Sequence, residues 1–141
     1  MPVPETSLRT CPLRLVPGDD LRRELESAVR AQGAGAAFVL SGIGSLRPAR
    51  IRLAGADDDT LIDRDTELLT LAGSIGRNGS HLHLSVADDQ GSVVGGHASH
   101  GCIVRTTAEV LLVLLPDWQF SREFDPGTGW AELKIEPRDE R

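Results

Sequence analysis

Only one stretch of this chain has the periodicity of a helix. Residues 19–33 read DDLRRELESAVRAQG, and Leu21, Leu25, Ala28 and Val29 fall on one face at helical spacing. Asp19 or Asp20 is placed to cap its start, and Gly33 to end it in the left-handed conformation. After Gly33 the apolar runs are short, aliphatic and interrupted by Gly, Pro and Asp, which is the pattern of strands. One helix must therefore serve a chain made mostly of strands. This points to an α+β domain with a mainly antiparallel β-sheet and one major helix packed on it.

The strand-like stretches are residues 9–18 (RTCPLRLVPG), 35–46 (GAAFVLSGIGSL), 48–55 (PARIRLAG), 66–77 (TELLTLAGSIGR), 81–102, 106–117 (TTAEVLLVLLPD) and 130–137 (WAELKIEP). They give about six or seven strands. In 48–55, Ile51 and Leu53 are expected on one face and Arg50 and Arg52 on the other. Residues 106–117 form the most apolar strand, expected at the centre and stopped by Pro116. Residues 54–65 and 117–129 read as loops, the second with a turn at Pro126-Gly127. The helix covers one face of the sheet, so the opposite face needs another cover, and a partner subunit is the expected one. The domain is expected over residues 9–136, with an N-terminal tail at 1–8 and a charged tail at 137–141. A chain of 141 residues is long enough to bury a core without disulfides.

Aromatic residues make up 4% of the chain, with no Tyr, so the core is aliphatic and stacking platforms for nucleic-acid bases are scarce. The net charge is −6. Direct binding to DNA or to an anionic membrane needs a basic patch. Here Arg47, Arg50 and Arg52, and the helix pair Arg22 and Arg23, read as solvated faces. Cys11 and Cys102 lie far apart and read as reduced thiols. The N-terminus has no signal-peptide pattern, and no apolar run reaches the ~18 residues that span a bilayer. A soluble, cytoplasmic protein is expected.

All four histidines, His81, His83, His97 and His100, fall between Gly79 and Cys102. The Asp88-Asp89-Gln90-Gly91 stretch fits a type I turn followed by a glycine bulge. In that register Asp88 pairs with Ser92 and His83 lies opposite His97, while His81 shares the face of His83. A two-residue loop would instead turn His97 to the other face. Three converging imidazoles suit a divalent metal, zinc first, with nickel or iron also acceptable. His100 is a candidate fourth ligand, or a loop residue. Gly95 and Gly96 let the backbone run close to a ligand, a second backbone or a bulge.

Glu109 opens the apolar run VLLVLL. It is a candidate catalytic residue: it could orient an imidazole or pair with an arginine, or it could sit at an exposed strand end. The SGIGS stretch, residues 41–45, lacks a phosphate-loop signature and reads as a bend that allows close packing. Cys102 has no identifiable base and orienting group, so nucleophilic catalysis has little support. Whether the chain is an enzyme stays open.

Together, His-x-His within residues 80–85, Gly91, Gly-Gly-His at Gly95–His97 and Thr-x-Glu-Val at Thr107–Val110 resemble the PPC domain, conserved in plants and prokaryotes. The resemblance covers residues 9–135. It implies an α+β fold, a homotrimer, and a metal site near a subunit interface at His81, His83 and His97. In plants the domain follows AT-hook motifs that bind DNA, whereas this sequence has no Arg-Gly-Arg-Pro hook and resembles the bacterial stand-alone form. Three functions follow as expectations. The first is a trimeric metal module with a regulatory role or a small anionic ligand at the metal. The second is a small metal-dependent hydrolase or lyase assisted by Glu109. The third is a DNA-associated regulator that acts through partners.

Overall fold

The computed structural model describes residues 7–139. The expected tails, residues 1–8 and 137–141, fall partly outside these. The elements follow the chain as β1 (Arg9–Leu15), α1 (Leu21–Ala31), β2 (Ala36–Leu46), β3 (Ala49–Arg52) and β4 (Thr60–Ile62). Then come β5 (Thr66–Gly76), β6 (Gly79–Asp88), β7 (Val93–Ala98), β8 (Val104–Leu114), β9 (Trp118–Asp125) and β10 (Trp130–Pro137). Eight strands form one sheet in the order β1-β8-β2-β5-β6-β7-β3-β4, and β9 with β10 form a separate hairpin. Every paired strand is antiparallel. Among the described residues, no helix is long and apolar enough to cross a membrane.

The helix forms where its stripe places it. Asp20 is the N-cap, its carboxylate accepting from the Arg23 N–H at 3.2 Å, which satisfies a helix donor that has no backbone partner. Gln32 caps the other end, and Gly33 follows with φ of 66°. Leu21, Leu25 and Val29 are buried against the inner face of the sheet, with Leu82, Leu84 and Val86 of β6 and Val110, Leu112 and Leu114 of β8 in the same core. On the outer face the middle strands leave Phe38, Leu40, Ile43 and Leu69 exposed.

Several expectations need correction. Residues 117–129 are not a loop: β9 occupies most of them, and Pro126-Gly127 is the turn into β10. Phe120 ties this hairpin to the sheet, donating to Gly35 O at 2.9 Å and accepting from Arg77 N at 3.0 Å. The polar stretch 54–65 contributes the three-residue strand β4 against β3. The apolar strand β8 is second from the sheet edge, not central, because β1 alone lies beyond it. Ten strands therefore stand among the described residues where six or seven were expected. Leu53 lies past the end of β3 and is exposed, whereas Ile51 is fully buried. The SGIGS residues lie inside β2, whose pairing with β8 shifts register between Val39 and Ser41 and again between Gly44 and Leu46.

β5 and β6 approach so closely at Gly73 that a Cβ there would run into the His81 carbonyl and lie 2.8 Å from the Leu82 Cα. Gly73 also has φ of 145°, which side chains rarely adopt. Gly73→Ala is expected to destabilise the fold by about 1–3 kcal/mol. Urea denaturation measures this, and a change below ~0.5 kcal/mol would contradict the packing described.

Candidate metal centre

The site begins with the turn between β6 and β7. Asp88 N donates to Ser92 O at 2.9 Å, and Gly91 N donates to Asp88 O at 3.0 Å. The Asp88 carboxylate accepts from the Gln90 and Ser92 N–H groups at 2.9 and 3.0 Å, which holds its pKa below the usual carboxylate range. Gly91 takes φ of 79°, the conformation a bulge after a type I turn requires. From this turn the strands pair as Ala87 with Val93, Ser85 with Gly95, and His83 with His97. Leu82, Leu84 and Val86 point into the core, so His81 and His83 point out of it.

The three rings meet. His81 and His83 face each other with Nε2 atoms 3.0 Å apart. The ring centroid of His97 lies 5.4 Å from that of His81 and 4.8 Å from that of His83. One ligand nitrogen from each ring lies within 4.8 Å of the others. A tetrahedral ion about 2.0–2.1 Å from each nitrogen sets the nitrogens roughly 3.3 Å apart, close to the 3.0 Å between the His81 and His83 Nε2 atoms. His97 Nδ1 lies 3.1 Å from the Arg52 carbonyl. A carbonyl only accepts, so Nδ1 carries the proton and Nε2 keeps its lone pair for a metal.

The other sequence candidates lie elsewhere. His100 Nε2 is 2.8 Å from Glu26 Oε1 and outside the cluster. Its partner Glu26 also accepts from Ser80 Oγ at 2.8 Å. Glu109 is exposed on β8, opposite Arg14 of β1. Because β2 and β5 intervene, Glu109 is roughly 14 Å from β6 and reaches no imidazole. The close approach at Gly96 belongs to β3, since a Cβ there would lie 2.6 Å from the Arg52 carbonyl. Cys11 and Cys102 are free thiols. Cys102 is buried, which pushes its pKa up to about 11 and leaves it a poor nucleophile.

Charged side chains that the sequence reading left on solvated faces or in a loop line a space beside the cluster. Arg22 is half-buried rather than on a solvated face: Nε donates to Ser80 Oγ at 3.0 Å and Nη2 to the Ser80 carbonyl at 3.1 Å. Arg122 comes from β9, the segment expected to be a loop. Its Nη2 donates to Ser74 Oγ at 2.6 Å, and Asn78 holds its backbone through two hydrogen bonds of 2.8 and 2.9 Å. Arg22, Arg52 and Arg122 line a cavity of about 620 Å³ together with His81, His97 and Trp130.

His81 and His83 are exposed overall, yet partial burial of the crowded rings lowers both pKa values below the ordinary imidazole value. The guanidinium charges of Arg122 and Arg22 add to this for His81, and the crowding of the imidazoles opposes placing a second positive charge among them. Both rings are therefore neutral at neutral pH, the form that ligates a metal.

Residues 3–116 match the family described as the Plants and Prokaryotes Conserved (PCC) domain. The chain is 49% identical over 136 residues to the bifunctional protein GlmU of Synechococcus sp. strain JA-2-3B'a(2-13), covering 96% of this chain. It spans 22% of the length of the curated relatives it matches. A solved structure of a hypothetical protein from Salmonella enterica superposes with a TM-score of 0.91 at 36% identity, covering 96% of this chain and 98% of the other. A metal-containing protein of Archaeoglobus fulgidus superposes with a TM-score of 0.79 at 28% identity, covering 94% and 98%.

The depressed imidazole pKa values carry a stability signature. The unfolded chain takes up these protons near pH 6.5 while the folded, metal-free protein resists them, so stability falls as pH drops below about 6.5. Thermal melts of metal-free protein between pH 7 and 5 are expected to show this fall. The His81→Asn/His83→Asn double variant is expected to show a flatter profile there. An identical slope in both proteins would contradict the assignment.

Proposed function

The chain belongs to the Plants and Prokaryotes Conserved (PCC) domain family, and we propose that it is a trimeric metal-binding module with a regulatory or ligand-binding role. The observation that carries this reading is the convergence of three imidazole nitrogens within 4.8 Å, with His97 held in a ligating tautomer by the Arg52 carbonyl. His81, His83 and His97 would hold the ion, and zinc suits a three-imidazole set. When bound, the metal supplies a Lewis-acidic position open to an anionic ligand. The metal-containing Archaeoglobus fulgidus protein of the same fold supports the reading.

The reading favours a module over an enzyme. Glu109 is the carboxylate that a hydrolase or lyase would have used, and it lies across two intervening strands. In the GlmU relatives the matched region is a minor part of a longer bifunctional protein, as suits a module joined to other activities. The trimer draws support from the apolar outer face, where Phe38, Leu40, Ile43 and Leu69 are open to solvent in the single chain.

Elemental analysis of untagged protein is expected to find about one zinc per chain, falling below about a tenth of an equivalent in His83→Ala. Occupancy is expected to drop below about pH 6, as the rings protonate. Less than a tenth of an equivalent of zinc, nickel or iron in the wild type would refute the site. Sedimentation at micromolar concentration is expected to give three times the 15.1 kDa chain mass, and a single-chain species would refute the trimer.

A further inference from the structure

The cavity beside the histidines has a chemistry of its own. Its volume, about 620 Å³, lies within the range of small-molecule sites, roughly 300–1,000 Å³. Three guanidinium groups reach it from three parts of the fold: Arg22 from α1, Arg52 from the end of β3 and Arg122 from β9. Arg22 is largely committed to Ser80 and lies 3.6 Å from Glu26. The other two are not. Within the described residues, Arg52 spends one N–H on the Ala56 carbonyl and Arg122 spends one on Ser74. Most of their five N–H donors are therefore left over. Among the described residues, neither has a carboxylate within 4.0 Å, although Asp57 and Glu132 also line the cavity. Trp130, which is 68% exposed, offers its ring to the same space.

We propose that this cavity binds a small phosphate monoester, with Arg52 and Arg122 holding the phosphate beside His81 and His97 and the organic part lying against Trp130. Two largely uncommitted guanidinium forks supply more donors than a carboxylate, with two oxygens, can use, whereas a phosphate monoester presents three terminal oxygens. Half-buried arginines that no carboxylate contacts are a cost to the folded chain unless an anion joins them, and at Arg122 only the more distant charge of Glu132 offsets the burial. The anchoring of Arg122 by Ser74 and Asn78 fixes its position before any ligand arrives. Trp130 adds a face for a planar group. The arginine contacts stand without the metal; only a further oxygen contact to the ion rests on the function proposed above.

Calorimetric titration of the full chain with phenyl phosphate, benzoate and inorganic phosphate tests this, with zinc content measured on each sample. Phenyl phosphate is expected to bind at least about tenfold more tightly than benzoate. Arg52→Gln and Arg122→Gln are each expected to weaken it by about tenfold or more at unchanged zinc content. Trp130→Ala is expected to weaken phenyl phosphate and leave inorganic phosphate alone. If Arg122→Gln fails to fold, Arg122→Lys keeps the charge without the fork, and a loss of phenyl phosphate binding there still supports the proposal. Wild-type protein that takes up zinc but shows no phenyl phosphate binding, or equal binding by the arginine variants, overturns the proposal and leaves the metal site standing. Arginine-dependent binding by protein that takes up no zinc does the reverse.

Discussion

The site depends on the register of one hairpin. Strand side chains alternate between faces, so slipping β7 by one residue against β6 would carry His97 into the core side and bring Ala98 or Gly96 to the cluster. What prevents the slip is the set of hydrogen bonds around Asp88, where backbone and carboxylate together bind Gln90, Gly91 and Ser92. A charge-assisted bond from a carboxylate to backbone N–H is among the stronger hydrogen bonds a surface turn can make. Arg64 adds to it from outside, 3.6 Å from Asp88 and 2.7 Å from Asp89. The buried row Leu82, Leu84 and Val86 enforces the same register from the other face.

Around that hairpin the neighbouring strands each add one function. β5 brings Gly73 and Ser74 beside His81, one through the absence of a side chain and the other as the anchor of Arg122. β3 packs on β7 at Gly96 and lends the carbonyl that orients His97. The helix reaches the same region through Arg22, which ties α1 to Ser80 and Ala98. The histidine cluster and the cavity are thus parts of one locality, built from segments that are distant in sequence.

What the sequence disclosed was what local chemistry determines. The helix was legible because its stripe is regular and Asp20 caps it. The opposition of His83 and His97 was legible because a four-residue turn with glycine last admits few registers. β9 was not, because Phe120 and Ser121 are buried side by side and Arg122 and Glu123 follow, so its alternation is broken. β4 has three residues and buries little, which leaves no pattern to read. The partners of Arg22, Arg122, His100 and Glu109 are set by which strands become neighbours, and single-residue chemistry carries no record of that.

The open sheet has two edges, β1 and β4, and each is blunted. β1 contains Pro12, which lacks the N–H needed to zip onto a further strand, and β4 is only three residues long. Ribbon-like growth, in which one copy extends the sheet of the next, is therefore obstructed at both ends. With its edges guarded, self-association through the apolar face proposed above as the trimer contact would run face to face, an arrangement that can close on itself at a small, fixed number of copies instead of running on into a fibre.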